Sequence, residues 1–151
     1  MNADAPLDII TRSPQETQAL GEALGVAAQP GDLFLLSGPL GAGKTCLVQG
    51  IARGLGVREP VRSPTFVLAT HHPGRLTLFH IDLYRLDNPL EAEDLGLDDY
   101  MEGFPRERLL VELEHLGPEE RRIRLRPQGK RYVALLQGLR GRYAPQARDA
   151  R

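Results

Sequence analysis

Eight residues, Gly38 to Thr45 (GPLGAGKT), carry the densest chemical signal in the chain. Gly38, Gly41 and Gly43 have no Cβ, so the backbone there can take positive φ and wrap closely round an anion. Turned inward, the N–H groups of such a loop form a nest for phosphate oxygens. Lys44 supplies a compact ammonium that reaches the β- and γ-phosphates, and the Thr45 hydroxyl is placed to ligate Mg²⁺. The spacing is that of the phosphate-binding loop, G-x-x-x-x-G-K-[ST]. Of nineteen basic residues only Lys44 and Lys130 are lysines. A lysine in the loop of so arginine-rich a chain points to a need for a point charge there.

Such a loop requires a strand before it and a helix after it. Asp32 to Ser37 (DLFLLS) reads as a buried strand, and Leu47, Val48, Ile51, Ala52 and Leu55 recur at helical spacing. Upstream, Leu7 to Thr11 reads as a strand. Ser13-Pro14-Gln15-Glu16 reads as a helix start, with Ser13 as N-cap and Glu16 completing a capping box. Leu20, Ala23, Leu24 and Ala27 then form one apolar face, ended by Pro30-Gly31.

Downstream, Ser63 to His72 and Arg75 to Leu86 read as two strands joined at Pro73-Gly74. Short acidic helices are expected at Leu90 to Asp94 and Leu97 to Met101, and a buried strand at Arg108 to Glu112. Arg121 to Arg126 and Arg131 to Leu136 both alternate and read as a C-terminal hairpin. The expected fold is α/β: a single P-loop NTPase-like domain over residues 1–140, its central mixed sheet flanked by helices, with hairpins after the loop helix and at the C-terminus. Residues 141–151 are expected to be a flexible tail.

Phosphate chemistry with Mg²⁺ also needs an acid to organise the metal and the attacking water. Two strands end in one: Asp82 after Leu78-Phe79-His80-Ile81, and Glu112 after Leu109-Leu110-Val111. Either can hold the metal while the other orients the water. His80 shares a strand face with Asp82 and serves packing at least as well as chemistry. Cys46 opens the loop helix, where the helix terminus can lower a thiol pKa, but a small buried residue is the better reading. Arg85 can meet phosphate or pair with the acids near Asp94.

Composition narrows the class. The 151 residues suit one domain with a real core, and the net charge of −1 provides no global field for nucleic acid. One cysteine excludes an internal disulfide framework, which suits a reducing cytosol and so a cytoplasmic protein. No apolar run approaches the ~20 residues of a membrane span, and the acidic MNADAPLD lacks signal-peptide regions. The basic run Arg121 to Arg126 reads as a solvated strand face rather than a tRNA surface.

Taken together, GPLGAGKT, SPTF (Ser63 to Phe66), HIDLYRL (His80 to Leu86) and EDLGLDDY (Glu93 to Tyr100) resemble the TsaE family. These are small bacterial P-loop ATPases of tRNA threonylcarbamoyladenosine biosynthesis. The resemblance implies that Gly41, Ala42, Gly43, Lys44, Thr45 and Cys46 hold the phosphates of ATP, with Thr45 and Glu112 on Mg²⁺. It implies a switch-like segment at Ser63, Pro64 and Thr65, a hydrolytic acid at Asp82, and a nucleotide contact from Arg131. It further implies that the protein works with a two-subunit threonylcarbamoyl transferase of the TsaB and TsaD type, meeting tRNA through that complex. Two departures stand out: Leu113 where the family has Trp, and Cys46 where it has a second Thr. Outside the family, the loop also suits a small nucleotide or metabolite kinase, or a nonenzymatic nucleotide sensor.

Overall fold

The computed structural model describes residues 5–39, 41–58, 69–72, 74–76, 78–81 and 107–149. Its elements run β1 (Leu7–Thr11), α1 (Pro14–Ala27), β2 (Phe34–Ser37), α2 (Lys44–Gly54), β3 (Ala69–His72), β4 (Leu78–Ile81), β5 (Arg108–His115), β6 (Arg121–Gln128) and α3 (Lys130–Asp149). A four-stranded mixed sheet has the order β1-β6-β5-β2. Within it β2 runs parallel to β5, while β6 is antiparallel to both β5 and β1. β3 and β4 form a separate antiparallel hairpin, with Ala69 opposite Ile81 and His72 opposite Leu78.

Strand parity separates the two faces of the larger sheet. Leu7, Ile9, Leu109, Val111, Leu113, Ile123 and Leu125 are buried in one cluster with Leu20 and Leu24 of α1, Leu47 and Ile51 of α2, and Leu135 and Leu136 of α3. The alternate positions carry charge. Asp8 binds Arg122 and Arg124, Arg122 also meets Glu114, and Glu112 pairs with Arg126. β2, expected to be enclosed, is half-buried and ends in an exposed Ser37.

α1 begins as its sequence dictates. Ser13 is extended, and its Oγ accepts from Glu16 N at 3.1 Å. The Glu16 carboxylate reaches back to Arg12 N at 3.4 Å, so the expected box closes one residue before the cap. α1 and α2 then pack with their backbones almost in contact. A Cβ on Gly21 would lie 2.3 Å from Leu47 O, on Gly25 2.2 Å from Ile51 O, on Gly50 2.1 Å from Gln18 O and on Gly54 2.3 Å from Glu22 O. Residue numbers rise together along both helices, so the two run parallel and their N-termini lie side by side. The carboxyl end of α1 is held by Arg75, whose Nη2 donates to Gly25 O at 2.8 Å and Ala28 O at 3.1 Å. A cation there complements the helix dipole.

The C-terminal region corrects the sequence reading. The hairpin is β5–β6, and residues 131–136 are helical. Gly129, at φ 116°, ends the strand, and its carbonyl accepts from Tyr132 N and Val133 N, both at 3.1 Å, which starts α3. The buried residues Tyr132, Leu135, Leu136, Leu139 and Tyr143 follow a helical period. The alternation read from Arg131 to Leu136 covers six residues, too short a window to separate the two periods. α3 also runs through Asp149, so residues 141–149, expected as a tail, are helical, with Tyr143 in the core. Residues 82–106, including the two expected acidic helices, lie outside the described residues.

Candidate functional site

The loop between β2 and α2 has the conformation its glycines permit. Gly38, Gly41 and Gly43 have φ of 155°, 77° and 99°. The close approach is as demanding as the dihedrals, since a Cβ on Gly38 would sit 2.6 Å from Leu113 O. Ala42 N donates to Pro39 O at 3.0 Å, which turns the chain, and Leu47 N donates to Gly43 O at 2.8 Å, which starts α2. Gly43 is the N-cap and gives α2 no side-chain cap, and the first turn of the helix holds no acid. Negative charge is therefore favoured at this terminus and none is built in. Lys44 Nζ donates to Gly38 O at 2.7 Å, arching back over the loop. The loop, with three glycines at positive φ and no room for a Cβ at Gly38, could hold a polyphosphate.

Glu112 stands opposite Ser37, the residue before the loop, on the parallel strand β5. Its carboxylate lies on the charged face of the sheet, bonded to Arg126 Nε. Leu113 points the other way. It is buried, and its Cδ2 lies 3.7 Å from where a Gly43 Cβ would stand. Leu113 is thus a packing residue beneath the loop. Cys46 is half-buried, and its thiol donates to Pro14 O at 3.2 Å. Burial pushes that thiol up from its ordinary 9.0, against the opposing charges of Arg121 and Arg53.

Arg131 is not brought to the loop. Its guanidinium grips Asp32 with two bonds, Nε to Oδ1 at 3.0 Å and Nη2 to Oδ2 at 2.8 Å, and Nη2 also donates to Ala27 O at 2.7 Å. Asp32 precedes β2 and the loop follows it, so the two lie at opposite ends of the strand. A pocket of about 290 Å³ opens beside Arg131, lined also by Gln29, Asp32, Glu107 and Tyr132. Ser63, Pro64, Thr65 and Asp82 lie outside the described residues, and Asp82 follows directly on β4. Among the described residues no three His, Cys, Asp or Glu side chains gather as a metal site. Mg²⁺ held mainly by phosphate oxygens, waters and one hydroxyl needs no such cage.

Two residues beside the loop were not singled out from sequence. Arg121 Nη2 donates to Gly41 O at 3.1 Å, and His115 lies 3.7 Å from the position of a Gly41 Cβ. They face each other across β5 and β6. Parity was the available signal. Arg121 alternates with Ile123 and Leu125, so it shares the core face, whereas Arg122, Arg124 and Arg126 take the other.

Comparison with known proteins agrees with the fold. The family described as "Threonylcarbamoyl adenosine biosynthesis protein TsaE" matches residues 11–133. A Bacillus subtilis protein named tRNA threonylcarbamoyladenosine biosynthesis protein TsaE is 39% identical over 145 residues, covering 85% of this chain and 90% of that one. A Treponema pallidum protein of the same name is 43% identical over 94 residues, 62% of this chain and 70% of that one. The crystal structure of Bacillus subtilis YdiB superposes with a TM-score of 0.72 at 33% identity, covering 89% of this chain and 94% of that one. The chain belongs to the TsaE family of threonylcarbamoyl adenosine biosynthesis proteins.

Proposed function

We propose that this chain is the Mg²⁺-dependent ATP-binding and ATP-hydrolysing member of the system that forms threonylcarbamoyladenosine beside the tRNA anticodon. The observation that carries this reading is the loop itself: three glycines at positive φ, a lysine arched over them and an uncapped helix terminus behind. Backbone N–H groups of residues 41–46 bind the phosphates, and the Lys44 ammonium moves from Gly38 O to the β- and γ-phosphate oxygens. Thr45 Oγ1 ligates Mg²⁺, which when bound neutralises charge on the phosphates. Glu112, across from Ser37, supports that ligation once its carboxylate leaves Arg126. Asp82 orients the water that attacks the γ-phosphorus, and Ser63, Pro64 and Thr65 respond to the nucleotide's state.

The family name and the four sequence blocks support placement beside a two-subunit transferase of the TsaB and TsaD type, in the cytoplasm, with tRNA met through that complex. The transferase carries out the transfer chemistry, and ATP turnover by this chain supports its cycling. Intrinsic hydrolysis is slow, as is common for phosphate-loop proteins that await a partner.

The test is ATP hydrolysis by the purified chain, alone and with the two partner subunits and tRNA, beside Lys44→Ala and Asp82→Ala. Hydrolysis that rises with partners and collapses in both variants is expected. Phosphoryl transfer to a small molecule, indifferent to partners, would overturn the assignment in favour of a kinase.

A further inference from the structure

We propose that Arg121 is a ligand for the α- and β-phosphates of the nucleotide, a role separate from the γ-phosphate chemistry. The proposal rests on the nucleotide reading of the loop. Three observations locate the guanidinium. Nη2 donates to Gly41 O at 3.1 Å. Nε lies 3.8 Å from where a Gly43 Cβ would stand. The same charge acts on the thiol of Cys46 in the first turn of α2. Arg121 therefore lies against the loop at Gly41 and Gly43, residues of a phosphate loop whose N–H groups hold the α- and β-phosphates.

The acceptors of Arg121 explain why it has charge to give. Nη1 donates to Gly117 O at 3.0 Å, Pro118 O at 3.3 Å and Glu120 O at 2.8 Å, all in the β5–β6 turn. With the Gly41 carbonyl these are four neutral oxygens. The neighbouring arginines differ: Arg122, Arg124 and Arg126 each pair with a carboxylate on the opposite face. Arg121 is held by its turn at the loop with its positive charge unmatched by any of these acids. Phosphate oxygens are stronger acceptors than a backbone carbonyl, and a guanidinium meets them with two parallel bonds. Exchange of Gly41 O for a phosphate oxygen keeps the Nη1 bonds to the turn, so the side chain needs little reorganisation.

A ligand of the α- and β-phosphates contributes equally to ATP and ADP. Calorimetric titration of both nucleotides into wild type, Arg121→Gln and Arg121→Lys is the test, with Lys44→Ala as a control. Arg121→Gln should weaken both by the same factor, about tenfold or more, in keeping with loss of charge-assisted bonds. Arg121→Lys, which keeps the charge and loses the fork, should fall between. Equal affinity in wild type and Arg121→Gln would overturn the proposal and leave Arg121 as a strap for the turn. Weakening of ATP with ADP unaffected would overturn it in favour of a γ-phosphate contact. A wild-type chain that binds neither nucleotide would instead sink the reading of the loop itself. Should Arg121→Gln fold poorly, the wild type still decides. The Nε–H resonance of Arg121 should move as ADP is titrated in, and a stationary resonance would refute the contact.

Discussion

A methyl group on Gly25 would stand 2.2 Å from the carbonyl oxygen of Ile51, closer than any real Cβ approaches an oxygen. Gly21 and Leu47 repeat the relationship one turn earlier. These contacts set the distance between α1 and α2, and α2 carries the glycine-rich loop at its N-terminus. Gly25→Ala should therefore push α2 away, at a cost of about 1–3 kcal/mol or more from overpacking. Gly138, in α3 with nothing within 4 Å of its would-be Cβ, is the contrast. Gly138→Ala should stabilise by roughly 0.5–1 kcal/mol, because alanine loses less entropy in a helix. Urea unfolding of the two variants should shift in opposite directions, and a neutral Gly25→Ala would refute the close packing.

The helix-to-helix contact was legible only in part. Leu20, Ala23, Leu24 and Ala27 give the apolar face of α1, but nothing in one sequence says that Gly21 and Gly25 meet a second helix. The conformation of the loop from Gly38 to Thr45 was legible because it is local: eight consecutive residues fix the turn and the helix start. Arg121 was not, because its role depends on a strand pairing that brings residue 121 to residue 41. The α3 misreading has a different cause. The six residues from Arg131 to Leu136 do not distinguish a period of two from one of 3.6, and Gly129 outweighs them by ending the strand.

Arg131 offers a clean separation of stability from binding. Its two bonds to Asp32 leave the acid's side chain 8% exposed, and they hold the Arg131 guanidinium more firmly protonated than usual. Removing one partner leaves a largely buried charge uncompensated. Arg131→Ala should cost about 1–3 kcal/mol, below the 3–5 kcal/mol of fully buried pairs because the site is partly open to water. The loss should appear in thermal unfolding and leave the Kd for ATP near that of wild type. A large rise in that Kd with unchanged unfolding would assign Arg131 to the nucleotide, as the family resemblance implies.

Asp8 predicts an acid dependence of defined sign. Hydrogen bonding to Arg124 holds its carboxyl below the ordinary 3.8, against a smaller opposing effect of burial, with Arg122 adding to the lowering. A lowered folded pKa means the carboxylate contributes stability above its unfolded pKa and loses it as pH falls through the folded one. The difference in unfolding free energy between wild type and Asp8→Asn should be present at neutral pH. It should vanish on the acid side of the ordinary carboxylate range. A difference that persists unchanged into strong acid would show that Asp8 acts through packing alone.

Cys46 should be a slow thiol despite its place in the first turn of a helix. Burial is the largest influence on it and raises its pKa above 9.0, while the charges of Arg121 and Arg53 offset this only in part. The reactive thiolate is therefore scarce at neutral pH. Alkylation by iodoacetamide should lag behind a free cysteine at neutral pH and accelerate only in the alkaline range. Arg121→Gln removes a charge that favours the thiolate, so it should slow the reaction further. A Cys46 that alkylates at neutral pH as fast as free cysteine, or faster, would mean that the helix terminus outweighs burial after all.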